Sequence, residues 1–188
     1  LVRGGKKKNI AIDGTAVKKY SEIYSLMSVV SFSPEDLSIV KNGPAERRNF
    51  IDRELCQLDK IYLFHLSNYN KALVQRNALL RQMAGDPTLS DMLQMWDDQL
   101  ISNGEKIIEL RQQFIDEIGA IAKEIHKKLT NEEEVLILSY EPEVKKEEFA
   151  DKLRQSRARD IAAKMTTVGP HRDDICFMIQ RPEKEEED

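Results

Sequence analysis

Three stretches of the 188-residue sequence hold side chains whose types and spacing have chemical use. The first is Ser33-Pro34-Glu35-Asp36. Ser33 can cap a helix, Pro34 suits the first helical position, and Asp36 stands where a capping box places its acid. Glu35 and Asp36 would then sit at the positive end of the helix dipole. The second stretch sets Lys41, Arg47, Arg48 and Arg53 in and around a segment that restarts at Gly43-Pro44. Clustered arginines suit bidentate contacts to phosphate, whether of a DNA backbone or a nucleotide. The competing use is pairing with Glu46, Asp52 and Glu54 along the same helix, Arg48 and Asp52 being four apart. The third is Gly169-Pro170-His171-Arg172-Asp173-Asp174. A histidine, an arginine and two acids in one turn have the makings of an acid–base or metal site. No second ligand set accompanies them, so the expected role is a structural turn with no catalytic residue and no metal.

The elements that must position these groups follow from periodicity. Residues 6–13 alternate around Ile10 and Ile12 and end at Asp13-Gly14, a hairpin signal. The lysine run at its start reads as a solvated strand end. Residues 17–27 have helical spacing, and residues 28–32 form a short apolar strand that leads into Ser33. Helical spacing returns over 61–83, with Arg76 and Asn77 interrupting the apolar stripe, and Gly85-Asp86-Pro87 ends it. A longer helix, about 90–129, carries Ile107, Phe114, Ile118, Ile121 and Ile125 at coiled-coil-like steps. A second row, Ile101, Ile108, Ile115 and Ala122, widens that stripe. The two helices should pack antiparallel as a hairpin, with Trp96 near its tip as a packed core residue. Residues 135–140 read as a strand, 145–165 as one charged amphipathic helix, and 175–179 as a second strand. Lys152, Arg154, Arg157 and Arg159 on that last helix have Glu147, Glu148, Asp151 and Asp160 close by, which favours a solvated face.

Composition agrees with an elongated helical protein. Apolar residues make up 40%, charged residues 33% and aromatics only 6%. The formal charge of −4 excludes a whole-chain basic footprint, so any nucleic-acid contact has to be a local patch. Cys56 and Cys176 stand far apart and the three histidines form no ligand-spaced pair, which argues against a disulfide framework or a zinc site. With no apolar run long enough to span a membrane and no signal-peptide pattern, the expected location is the cytoplasm and no membrane partner is expected.

The combination PEDLSIVK and GPAERRNFIDREL, then LSNYNKALVQRNALL over 66–80, then TTVGPHRDDI over 166–175, resembles the RecF family of bacterial recombination mediators. Their heads are ABC-type ATPases related to the structural-maintenance-of-chromosomes proteins. The blocks fall in the expected order, and the chain looks like the middle of such a protein. Asn42 replaces an expected glycine, a position asparagine tolerates at positive φ. No G-x-x-x-x-G-K-[ST], no LSGGQ-like segment and no strand ending in a paired acid occurs.

The resemblance implies a mainly α fold, a long antiparallel helical arm on a small α/β base that is part of an ABC-ATPase-type head sheet. Its expected parts are a partial head segment (1–54), the hairpin arm (55–130), a return strand, helix and GPHRDD segment (131–180), and a disordered acidic tail (181–188). By carry-over, Glu35 and Asp36 face the nucleotide, Lys41, Arg47, Arg48 and Arg53 contact DNA or a partner, and Gly169 to Asp174 align arm and head. It implies an ATP-dependent DNA-binding homodimer that acts on gapped or double-stranded DNA with RecO and RecR mediators and recombinase loading. ATP and magnesium are implied for the full-length family, whereas this chain should need no cofactor and hydrolyse no ATP alone. The alternative is a helical-hairpin interaction or dimerisation module that never touches DNA.

Overall fold

The structure, a computed structural model, describes residues 11–17, 29–31, 33–82 and 90–181. A small hairpin, β1 (Ala11–Ile12) and β2 (Thr15–Ala16), turns at Asp13 and Gly14, both at positive φ. The lysine run, most of the helix expected over 17–27 and the acidic tail lie outside the described residues. Residues 29–31, within the strand expected over 28–32, are described and carry no strand.

Pro34–Leu37 forms a 3-10 turn that continues as α1 (Ser38–Lys41). As expected for a capping box, the Asp36 carboxylate accepts the Ser33 N–H at 2.7 Å. Then α2 (Pro44–Leu58) opens with proline in its first turn and closes at Asp59. The extended conformation of Asp59 ends one helix, and its carboxylate, accepting the Ile61 N–H at 2.6 Å, starts the next.

That next helix is α3 (Lys60–Gln82), followed by α4 (Ser90–Leu129). Cross-links between them fall in opposite order along the two helices: Tyr62 with Arg111, His65 with Asn103, Arg76 with Asp97. The hairpin is therefore antiparallel, as expected. At 1.5 Å per residue α4 is about 60 Å long and outruns α3 by roughly 25 Å. The difference decides which residues of its stripe are covered. Ile107, Ile108 and Ile115 are buried, whereas Ile121 and Ile125, expected in the same seam, are exposed.

The far half of α4 packs instead on a two-stranded antiparallel sheet, β3 (Val135–Glu141) with β4 (Asp174–Gln180), in register from Val135–Gln180 to Glu141–Asp174. Between the strands the chain forms α5 (Lys146–Gln155) and α6 (Arg157–Ala163). A single helix was expected over 145–165. The break comes at buried Ser156, whose hydroxyl donates to the Leu153 carbonyl and bonds Asp160. Met165 is already past the helix, because Lys164 takes the left-handed conformation that ends α6.

Both α5 and α6 lie along the arm. Phe149 and Leu153 are fully buried in one core with Tyr69, Ile107 and Ile115. Gly104 permits this: a Cβ there would overlap the Phe149 ring and lie 3.1 Å from Tyr69. Trp96 is half-buried between this core and a smaller cluster of Leu79, Leu80 and Leu93. The architecture is mainly α with a small sheet base, matching the expected fold class.

Candidate functional site

The start of α2 and the Gly169–Asp174 turn, far apart in sequence, meet in space. Positions 47 and 48 face the turn because Gly43-Pro44 sets the direction in which α2 leaves α1. Arg47 forms a two-pronged ion pair with Asp174, Nε to Oδ1 at 2.6 Å and Nη2 to Oδ2 at 2.8 Å. Its Nη1 donates to the Asn42 carbonyl at 2.6 Å, so one guanidinium holds the end of α1 against the first residue of β4. The Arg47 hydrogen bond holds the Asp174 carboxyl below its ordinary range. Beside it, Arg48 Nη1 donates to the Asp173 carbonyl at 2.6 Å.

Behind these lies Arg111 of α4, 2% exposed, with each of its three nitrogens engaged. Nε reaches the Tyr62 hydroxyl at 2.9 Å, and Nη2 reaches Asp52 at 2.8 Å. Nη1 reaches both the Pro170 carbonyl at 2.7 Å and Asp173 Oδ2 at 2.9 Å. Tyr62 donates to Asp52, Tyr140 donates to Asp173, and the Glu143 N–H donates to Asp173 at 2.9 Å. Burial pushes the Asp173 carboxyl up, opposed by Arg111, Tyr140 and the Glu143 amide. Burial also works against the Arg111 charge, but Tyr62, Asp52, Tyr140 and Asp173 around it more than offset that.

His171 has no free nitrogen. Nδ1 lies 2.7 Å from the Tyr69 hydroxyl and Nε2 lies 3.2 Å from the Thr166 carbonyl. With Nε2 donating to that carbonyl, Nδ1 accepts from Tyr69. Burial first, with Arg172 and Arg48 nearby, lowers its pKa to about 4, so it is neutral at pH 7. Gly169 is at φ +132°, and a Cβ there would come within 2.5 Å of the Tyr69 oxygen. The turn is thus hydrogen-bonded to α2, α3 and α4 at once.

The other expected site residues are distributed differently. Glu35 falls in the Pro34–Leu37 turn, and Asp36 is half-buried with its carboxylate on Ser33. Lys41 is exposed at the end of α1, and Arg172 is exposed in the turn. Arg53 pairs with Glu54 at 3.0 Å and lies over the Phe50 ring. The expected Arg48–Asp52 pair along one face of α2 does not form. Each residue has a buried partner elsewhere that repays its desolvation better than a surface pair does. In the second basic cluster, Arg157 reaches Asp97 at 2.7 Å, Arg159 reaches Thr167, and Lys152 and Arg154 pair with Glu148 and Asp151.

The segments at 34–54 and 166–175, which resemble RecF in sequence, thus interlock in space. The chain is 51% identical over 178 residues to the DNA replication and repair protein RecF of Agathobacter rectalis, covering 95% of this chain and 49% of that protein. The RecF of Lachnoclostridium phytofermentans gives the same identity and coverage. A solved structure of the recombination mediator protein RecF with a nucleotide, in the RecFOR pathway, superposes with a TM-score of 0.85 at 32% identity, over 92% of this chain and 49% of that one. A second, of RecF with ATP, also gives 0.85, at 31% identity. The chain belongs to the RecF family. No family model matches it. The chain spans about half the length of the curated RecF relatives it matches. Among the described residues, no helix is long and apolar enough to cross a membrane.

Arg111, Asp52, Tyr62 and Tyr140 were not picked out as site residues from sequence. A signal existed for Arg111. It sits three, four and four residues from Ile108, Ile107 and Ile115, a charge on the most apolar face of α4.

Proposed function

We propose that this chain is the arm-bearing portion of a RecF-type protein that acts on gapped DNA in repair, recombination and replication restart. Assembled, that protein binds DNA as an ATP-dependent homodimer and works with RecO- and RecR-type mediators in recombinase loading. The nucleotide is held mainly by motifs this sequence does not contain, with Glu35 and Asp36 as this chain's nucleotide-facing residues and magnesium as the accompanying ion. Lys41 and Arg53, exposed, and half-buried Arg48 are its candidate DNA or partner contacts, and Arg47 joins α1 to β4.

One observation carries the mechanical part of this reading. The two-pronged Arg47–Asp174 pair spans 127 residues and ties the segment after the proposed nucleotide-facing turn to the strand on which the arm returns. A nucleotide-driven movement of residues 33–41 would reach β4 through that pair, and α4 through Asp173 and Arg111. The test is Arg47→Ala in the full-length protein, with Arg47→Lys as the conservative control. The gain in affinity for gapped duplex on adding ATP should fall at least about tenfold, while ATP-independent binding persists. An undiminished ATP response would remove the coupling role. DNA affinity that ignores salt altogether would favour the helical-hairpin interaction module instead.

A further inference from the structure

Along α2, Ala45, Arg48, Asn49 and Asp52 recur at helical spacing and present one face. That face looks across a recess of about 200 Å³ toward Asn70 of α3, with Arg111 in the wall behind. Arg48 uses only Nη1 internally, and its Nε and Nη2 have no partner among the described residues. The side-chain amides of Asn49 and Asn70 likewise have none, and both residues are exposed at the rim. Ala45, also exposed, leaves the entrance open.

The charges around the recess are largely paired, but its hydrogen-bond donors are not. Of the charged groups lining it, Asp52 is occupied by Tyr62 and Arg111, and Arg111 is further paired with buried Asp173 behind the wall. His171, also in the wall, is neutral at pH 7 because of its burial, and burial likewise keeps the Tyr69 phenol protonated. Burial and then the nearby Arg111 lower the Arg48 pKa, opposed by Asp173, Asp174 and Asp52. The opening therefore offers the free edge of a guanidinium and two side-chain amides that can each donate.

We propose that this recess seats one phosphodiester of a bound DNA strand, with Arg48, Asn49 and Asn70 donating to its non-bridging oxygens. The volume accommodates a tetrahedral phosphate group. Guanidinium and amide donors are the usual partners of backbone phosphate. The inference rests on the DNA-binding reading above and adds Asn49 and Asn70, which charge-based reading of the sequence passes over.

The experiment uses the full-length protein with ATP and gapped duplex, affinity being followed from 50 to 300 mM salt. Asn49→Asp and Asn70→Asp place a carboxylate at the rim without disturbing any internal bond. Each should weaken binding roughly tenfold and make the log–log salt slope shallower by about one, the share of one phosphate. Asn70→Gln, which keeps the donor, should bind like the parent. Equal affinity and slope in the Asp variants and the parent would overturn the recess assignment while leaving the DNA-binding reading intact. A parent protein with no salt-dependent binding would overturn both. Loss of mediator binding with DNA affinity unchanged would assign the recess to a protein carboxylate and overturn the phosphodiester.

Discussion

Two buried arginines tie the arm to the return segment, and they do so in opposite settings. Arg76, halfway along α3, is fully buried, as are its partners Asp97 at 2.6 Å and Asp160 at 2.7 Å. Thr166, which also accepts from Arg76, is held by Asn77, and Asp97 is shared with Arg157. Arg111, near the base, has the same kind of partners, but Asp52 is a quarter exposed and the recess opens beside it. The first keeps its central cation and both carboxylates from water, with only Arg157 reaching the surface and, among the described residues, the Nη2 of Arg76 without a partner. The other is open to water on one side, with each nitrogen of Arg111 engaged. A sealed set of charges can only fix geometry, whereas a charge network with an opening can also answer to a ligand.

The contrast is tested most severely at Arg76. Arg76→Leu strips two fully buried carboxylates of their shared cation, and truncating one partner of such a set costs roughly 3–5 kcal/mol. Urea unfolding of the 188-residue chain should show a loss of that size, or no cooperative transition at all. Arg111→Met removes a cation of equal burial. Water entering from the recess can solvate Asp52, however, and Asp173 keeps Tyr140 and the Glu143 amide. The expected loss is smaller, roughly 2–3 kcal/mol. Equal losses at the two sites would show that the opening is irrelevant to the charge behind it.

Much of the framework was legible in the sequence, and the reasons are local. Periodicity placed α3 and α4 to within a residue or two, Gly43-Pro44 marked the start of α2, and the apolar runs at 135–140 and 175–179 became β3 and β4. What escaped was set by long-range partners. Arg48 and Asp52 have the spacing of a surface pair, but nothing within α2 announces Asp173 or Arg111. Ser156 looks like any other polar position until Asp160 and the Leu153 carbonyl are seen around it. Arg76 did leave a mark, as a break in an apolar stripe. Asp97 is the same kind of mark between Leu93 and Leu100. A charge that interrupts an otherwise apolar helix face is the trace that a buried lattice leaves in sequence.

His171 sharpens the comparison through pH. Its folded pKa of about 4 lies below the ordinary 6.5, so the unfolded chain binds more protons in between. Stability is then fully present above about pH 6.5 and falls as pH drops toward 4. From pH 7.5 to 5 the group should remove about 2 kcal/mol. His171→Gln should flatten that part of the profile, measured as the difference between urea midpoints of variant and parent. A parallel profile in the variant would mean that water reaches the imidazole through the recess and that the base of the arm is more open than its geometry indicates.

The smallest effect is expected where charges are paired but not buried. Glu109 of α4 bridges Lys106 of its own helix, at 2.8 Å, and Lys146 of α5, at 2.6 Å. Those contacts, Lys106 first, lower its pKa to about 2, which on its face rivals the buried sites. All three side chains reach solvent, however, so salt screens them, and fixing two lysines offsets the gain. The contact between α4 and α5 is held by Phe149 against Gly104 and by Leu153, not by this triad. Lys146→Ala should leave the unfolding midpoint within experimental scatter at 0.15 M salt. A clear drop would mean that surface charge geometry holds α5 to the arm, and enclosure would then no longer be what separates the charges that matter to this fold from those that do not.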